Sequence, residues 1–98
     1  MLPMTVYKET ESAEQDLSEL VRYIASDNPD AADRFFAAVR ERYQQLTGNP
    51  GMGRLRPDIG TEIRIFPLDG YIVIYRPIPD GILILRFLSG RRDLDALL

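Results

Sequence analysis

The chain of 98 residues holds few groups able to do acid/base or nucleophilic work, because it contains no His and no Cys. Imidazole catalysis, thiolate attack, disulfides and the usual zinc ligand sets are thereby excluded. Asp93 and Asp95 form a carboxylate pair two residues apart, but beside Arg91 and Arg92 they read first as a solvated charged tail. Ser12 and Ser89 have no His to act as base, and Lys8, the sole lysine, offers no Ser–Lys arrangement. Gly51 and Gly53 with Arg54 and Arg56 have the composition of a phosphate cradle. A lone Gly-x-Gly is a weak signal, and a flexible turn is the favoured reading. Tyr71 and Tyr75, near Arg76 and Arg86, could stack bases, although strand tyrosines more often pack inward. One chemistry survives the loss of His. RNA cleavage through the 2′-hydroxyl needs positive charge on the phosphate and a proton carrier, which Arg, Lys and Tyr supply.

Charge narrows the partners. The net value is −3, too acidic for a general nucleic-acid coat. Residues 1–50 hold nine acids and five bases, a balance of −4, whereas residues 51–98 hold six acids and seven bases, a balance of +1. All basic residues except Lys8 are Arg, whose planar fork suits carboxylates, phosphates and interfaces. With 45% hydrophobic and 28% charged residues, the composition fits one globular domain over residues 1–98. Apolar runs stop at four or five residues, so no segment spans a bilayer and no membrane partner is expected. The start, Met1-Leu2-Pro3-Met4, has no leader pattern, which makes a cytoplasmic location the expectation.

These residues must be positioned by elements that the spacing predicts. Met4 to Lys8 is rich in β-formers and reads as a first strand. Ser12 with Gln15 fits a capping box, followed by an apolar stripe at Ala13, Leu17, Leu20, Val21 and Ile24. Asn28 as N-cap and Pro29 as first helical residue open a second helix almost at once. Its stripe is Ala32, Phe35, Phe36, Val39, Tyr43 and Leu46, and Gly48 is placed to end it in a left-handed cap. The short connection makes an antiparallel helical hairpin. Asn49 to Gly60 reads as a loop. Thr61 to Phe66, Tyr71 to Arg76 and Ile82 to Leu88 then read as strands joined by turns ending in Asp-Gly. The expected fold is α+β, ordered β-α-α-β-β-β, with a helical hairpin packed on a small antiparallel sheet. The edge that takes the first strand is open.

Strict alternation places Tyr71, Val73 and Tyr75 on one face of the sheet, and Ile72 and Ile74 on the other. In the last strand Leu83, Leu85 and Phe87 oppose Ile82, Ile84, Arg86 and Leu88. Both faces are apolar, and two helices cover only one of them. The second face therefore requires a cover. Either the chain folds back, through Leu94, Ala96, Leu97 and Leu98 or through Met52, Leu55 and Ile59, or a partner segment lies there.

Several stretches together resemble the ParE toxins of type II toxin–antitoxin modules, within the RelE/ParE superfamily, from about Thr5 to Leu98. They are Asp16-Leu17, Tyr23-Ile24-Ala25, Asp27-Asn28-Pro29-Asp30-Ala31-Ala32, Asn49-Pro50-Gly51-Met52-Gly53-Arg54, Arg64, Gly70 to Arg76, Ile84-Leu85-Arg86 and Gly90-Arg91-Arg92-Asp93-Leu94. The resemblance implies a ParD-like antitoxin with a ribbon-helix-helix DNA-binding part, and a C-terminal segment that orders on binding. DNA is then met only indirectly, through the antitoxin. The implied activity is inhibition of DNA gyrase, with no cofactor and no metal. In the ribonuclease branch the residue after the Gly-Tyr of the third strand is usually Arg, the central loop usually carries lysines, and a Tyr usually stands near the end. Here those places hold Ile72, no lysine, and Leu97 or Leu98; only Arg92 matches a phosphate-binding arginine. The expectation is thus a gyrase inhibitor without catalytic residues. Its rivals are a ribosome-dependent mRNA endoribonuclease and a non-toxic antitoxin-binding relative. Arg86, Arg91 and Arg92 are the expected target contacts. Leu17, Leu20, Phe36 and the strand face Tyr71, Val73 and Tyr75 are the expected antitoxin contacts, with Arg64 and Arg76 pairing its carboxylates.

Overall fold

The computed structural model describes residues 6–97, with the side chains of Arg91, Arg92 and Leu97 outside the description. The first strand, β1, runs Val6–Glu9, so the Met4 and Thr5 of the expected strand lie outside the described residues. Helix α1 spans Glu11–Ala25 and α2 spans Pro29–Gly48. A 3-10 turn at Pro50–Met52 leads into β2, Arg54–Leu55, and then come β3, Arg64–Leu68, β4, Tyr71–Ile78, and β5, Gly81–Leu88. A short helix α3, Arg91–Leu97, ends the described chain.

The helical hairpin forms as its punctuation dictates. Asn28 is the N-cap of α2, its side chain accepting the Ala31 N–H at 3.1 Å, and Pro29 follows at the first position. The two other expected signals are corrected. α1 is capped by Thr10 rather than by a Ser12–Gln15 box: Thr10 Oγ1 accepts the Ala13 N–H and donates to the Leu85 carbonyl at 2.8 Å. Gly48 stays helical and Asn49 forms the C-cap, at φ −146°, so no left-handed residue is needed.

The five strands form one mixed sheet in the order β1-β5-β4-β3-β2. β2 to β5 are antiparallel neighbours, but β1 runs parallel to β5 at the edge, which corrects the all-antiparallel expectation. Close approach permits this pairing. A Cβ on Gly81 would collide with the Val6 carbonyl, so glycine lets β1 lie against the start of β5. The Asp69–Gly70 turn joins β3 to β4 with both residues at positive φ, +49° and +87°, the primed geometry that matches strand twist. β3 begins at Arg64 rather than Thr61 because Glu62 takes φ +60° in a turn.

Two layers cover the sheet. Under the hairpin, Ala13 and Leu17 of α1 and Val39, Tyr43 and Leu46 of α2 pack on Leu68, Val73, Tyr75, Ile82, Ile84 and Phe87. Each fully buried large apolar side chain there contributes about 1.5–3 kcal/mol. On the opposite face Ile74, Leu88 and Leu94 are buried, flanked by Ile59, Ile63, Ile65, Ile72 and Leu85. The second face is thus closed in part by the chain itself, through Leu94 of α3 and the loop residues Ile59 and Ile63. Met52 and Leu55 do not fold over it and stay 41% and 48% exposed. The expected alternation along β5 is also corrected. A bulge opposite Ile74/Tyr75 leaves Leu85 unpaired, so Phe87 joins Ile82 and Ile84 under the helices while Leu85 and Leu88 turn to the other face. The Leu85 carbonyl freed by the bulge is the one that accepts the Thr10 hydroxyl.

Candidate interaction site

The expected contact residues fall into buried and accessible sets. Val73 and Tyr75 are fully buried beneath the hairpin, and Leu17 is 4% exposed. They build the core, so a partner reaches them only by lifting the helices, and the picture of an open strand face is corrected. Tyr71 is half-buried, stacked on Phe87 with ring centroids 5.3 Å apart and tilted against Phe35 at 5.3 Å. Leu20 is half-buried at the edge of the same core. Phe36 is 41% exposed on α2, with the Arg40 guanidinium 5.7 Å above its ring. Arg76 is exposed on β4.

Arg86 lies in a cleft of about 400 Å³ between α1, the end of β5 and α3, lined by Asp16, Glu19, Leu20, Leu88, Asp93 and Ala96 among others. Its Nε donates to Asp16 Oδ2 at 2.7 Å and its Nη2 to Asp16 Oδ1 at 3.0 Å. The Phe87 N–H donates to the same carboxylate at 3.0 Å. This fork-to-carboxylate geometry raises the Arg86 pKa further, chiefly through the hydrogen bond to Asp16. Across the cleft Asp93 accepts from the Ser89 hydroxyl at 2.7 Å, tying the start of α3 to the end of β5. Asp93 is therefore engaged in a structural contact at the start of α3. Arg91 and Arg92 open α3, and their side chains lie outside the described residues.

A second cluster organises the central loop. The Gly53 N–H donates to Tyr75 Oη at 2.8 Å, and Tyr75 Oη donates to the Pro50 carbonyl at 2.7 Å. Arg64 Nη1 donates to the Gly53 carbonyl at 2.7 Å. A side chain at Gly53 would strike Tyr75 and come within 2.9 Å of the Ile65 carbonyl. The glycine serves close packing, and its N–H is already engaged, so the phosphate-cradle reading of Gly51 and Gly53 is corrected. Burial raises the Tyr75 pKa, which keeps the phenol protonated and donating. Arg56 pairs with Asp58 at 2.7 Å.

Sequence reasoning missed Asp16 as a partner of Arg86 and Tyr75 as the anchor of the loop. The signal for Asp16 was a carboxylate bordering an otherwise apolar stripe. For Tyr75 it was a tyrosine on a strand face that helices cover. Among the described residues no group of three or more Asp or Glu side chains could share a metal ion, and no helix is long and apolar enough to cross a membrane.

The fold has counterparts among known proteins. Residues 7–94 match the family of ParE toxins of type II toxin–antitoxin systems, parDE. Toxin RelE3 of Caulobacter vibrioides is 33% identical over 75 residues, covering 76% of this chain and 82% of the relative. A chain of the solved chromosomal ParDE TA system from P. aeruginosa superposes with a TM-score of 0.73 at 22% identity, covering 90% of this chain and 98% of that one. The chain belongs to the ParE toxin family of type II toxin–antitoxin systems. It is a toxin-type member of the RelE/ParE superfamily, with an antitoxin as the implied partner.

Proposed function

We propose that this toxin acts by binding, poisoning DNA gyrase without covalent chemistry of its own, and that a ParD-like antitoxin with a ribbon-helix-helix DNA-binding part neutralises it in the cytoplasm. The observation that carries the reading is that three groups an RNA-cleaving site could use, Arg64, Tyr75 and Arg86, are engaged inside the fold. Arg86 is held by Asp16, Arg64 by the Gly53 carbonyl, and both hydrogen bonds of the Tyr75 hydroxyl are internal. Ile72, in the place where ribonuclease relatives usually carry Arg, packs against the apolar cluster of the second face. Arg91 and Arg92, with Arg86 at the cleft, are the proposed target contacts.

The competing reading is ribosome-dependent mRNA cleavage, which the name of the relative RelE3 keeps in view. Production of the chain without antitoxin separates the two. The gyrase reading predicts filamentous cells and a DNA-damage response while messages stay intact. Cleaved messages within minutes, with undamaged DNA, would overturn it. Harmless accumulation of folded protein would instead favour a non-toxic antitoxin-binding relative. Arg91→Ala with Arg92→Ala should abolish toxicity at unchanged stability. Arg86→Ala needs Asp16→Ala beside it, since equal losses in both point to the fold and not to target contact.

A further inference from the structure

We propose that the edge carrying β2 is a docking groove for an extended, acidic segment of a partner polypeptide. The inference rests on the toxin–antitoxin reading only in naming that partner as the neutralising protein; the surface stands on its own geometry. β2 is the outermost strand on its side of the sheet. Arg54 pairs with Ile65 and Leu55 with Arg64, and the Arg56 N–H donates to the Ile63 carbonyl at 2.8 Å. Inward bonds at Arg56 turn the N–H and C=O of Leu55 outward, because the direction alternates along an antiparallel strand. An extended segment can take both. A helix, whose backbone groups are bonded internally, takes neither.

The side chains specify the chemistry. Arg54 faces the same side as Ile65, and with Arg56, Ile72, Leu94 and Asp95 these two line a groove of about 220 Å³ between β2 and α3. Its floor is apolar; its β2 lip carries Arg54 and Arg56, and Asp95 lies on the α3 side. Arg56 has Asp58 as partner, but Arg54 is exposed and makes no ion pair among the described residues. Beside Arg54 on the same edge, Leu55, on the opposite face of the strand, and Met52 are 48% and 41% exposed, two of the four exposed large hydrophobic residues among the described residues. The lip is pre-formed, because Tyr75 and Arg64 hold Gly53 from both sides. A rigid edge with unsatisfied backbone groups, apolar neighbours and an unpaired arginine fits an extended chain of alternating carboxylate and aliphatic residues. The other edge also has outward backbone groups but differs in side chains: β1 exposes Lys8, and none of the large exposed hydrophobic residues among the described residues lies on it.

The test uses the purified full chain and a capped synthetic peptide alternating Glu with Val and Thr, with a matched peptide carrying Lys at each Glu position and a short oligouridine as controls. Amide shifts in the NMR spectrum are expected at Arg54–Arg56, Ile65, Ile72 and Leu94 with the acidic peptide only, weakening as salt is raised. Arg54→Glu should weaken binding about tenfold or more, and Arg54→Lys should restore most of it. Absence of shifts at about 1 mM peptide, shifts confined to the helices, or affinity indifferent to Arg54→Glu overturns the proposal. Binding of oligouridine with the same residues does so in favour of a nucleic acid, and self-association lost in Arg54→Glu does so in favour of a second copy. The functional reading fails separately. If the protein encoded beside this chain does not bind it while the peptide still docks on β2, the antitoxin reading is lost and the groove remains. If that protein binds with undiminished affinity to Arg54→Glu, the groove assignment is lost and the antitoxin reading remains.

Discussion

Arg86 of β5 and Asp16 of α1, 70 residues apart in sequence, form a two-pronged ion pair whose carboxylate also accepts the Phe87 N–H. The Asp16 side chain is only 16% exposed, so this contact clamps the first helix onto the last strand at the mouth of the cleft. Removing the carboxylate leaves both the guanidinium and a buried backbone N–H without a partner. Asp16→Ala should therefore lower stability by about 2 kcal/mol, and Arg86→Ala by less, because Asp16 then keeps the Phe87 N–H. The two changes should be non-additive by about 1 kcal/mol in a urea-denaturation cycle, and additive losses would contradict the clamp.

The Tyr75–Gly53 contact predicts how the central loop fails. Tyr75→Phe keeps the buried ring but orphans the Gly53 N–H and the Pro50 carbonyl, for a loss of about 1–3 kcal/mol. Gly53→Ala forces the same tyrosine aside and should cost a similar amount. Hydrogen exchange at residues 50–56 should accelerate in both variants while the helices stay protected. Unchanged loop protection would refute the anchoring role.

Tyr43 predicts a stabilising substitution. Its ring is fully buried against Tyr7 and Phe87, but its hydroxyl has no hydrogen-bond partner among the described residues. Burial also pushes its pKa up, with Glu9 next in effect, so the group stays neutral. Tyr43→Phe removes an unsatisfied polar atom and should raise stability by about 1 kcal/mol. A comparable loss would show that the hydroxyl has a partner in solution.

Glu9 gives the chain a pH signature. Its pKa is raised above the model-peptide value of 4.5, first by burial and then by Glu14, with Arg40 opposing. A raised carboxyl pKa means that the folded state holds the proton longer than the unfolded chain. The unfavourable contribution is absent below the unfolded value and grows as pH rises through the folded one. Glu9→Gln should thus raise the Tm at pH 7 and leave it unchanged near pH 4. An equal shift at both values would remove ionisation as the cause.

How much of this was legible in the sequence follows from the range of each interaction. Asn28-Pro29 and Asp69-Gly70 act through their own backbone geometry, so the hairpin of helices and the turn between β3 and β4 were readable from neighbours alone. β1 joins β5 in parallel across most of the chain, and the Leu85 bulge arises from pairing between β4 and β5. No local pattern encodes either. The bulge also explains why alternation misplaced Phe87. The candidate contacts fared unevenly for the same reason. Tyr71, Val73 and Tyr75 share a face as read, but which face the helices cover is decided by packing, and it is theirs. The arginine-rich second half was visible, whereas the pairing of Arg86 with Asp16 and of Arg64 with Gly53 depends on contacts that only the folded chain makes.

The central claim, a toxin that works by binding gyrase, is tested most directly by plasmid supercoiling with purified gyrase and this chain. The account predicts that supercoiling stops and that linear, gyrase-cleaved plasmid accumulates as the toxin is added, both reversed by its antitoxin. Full supercoiling at a large molar excess of folded protein would contradict it.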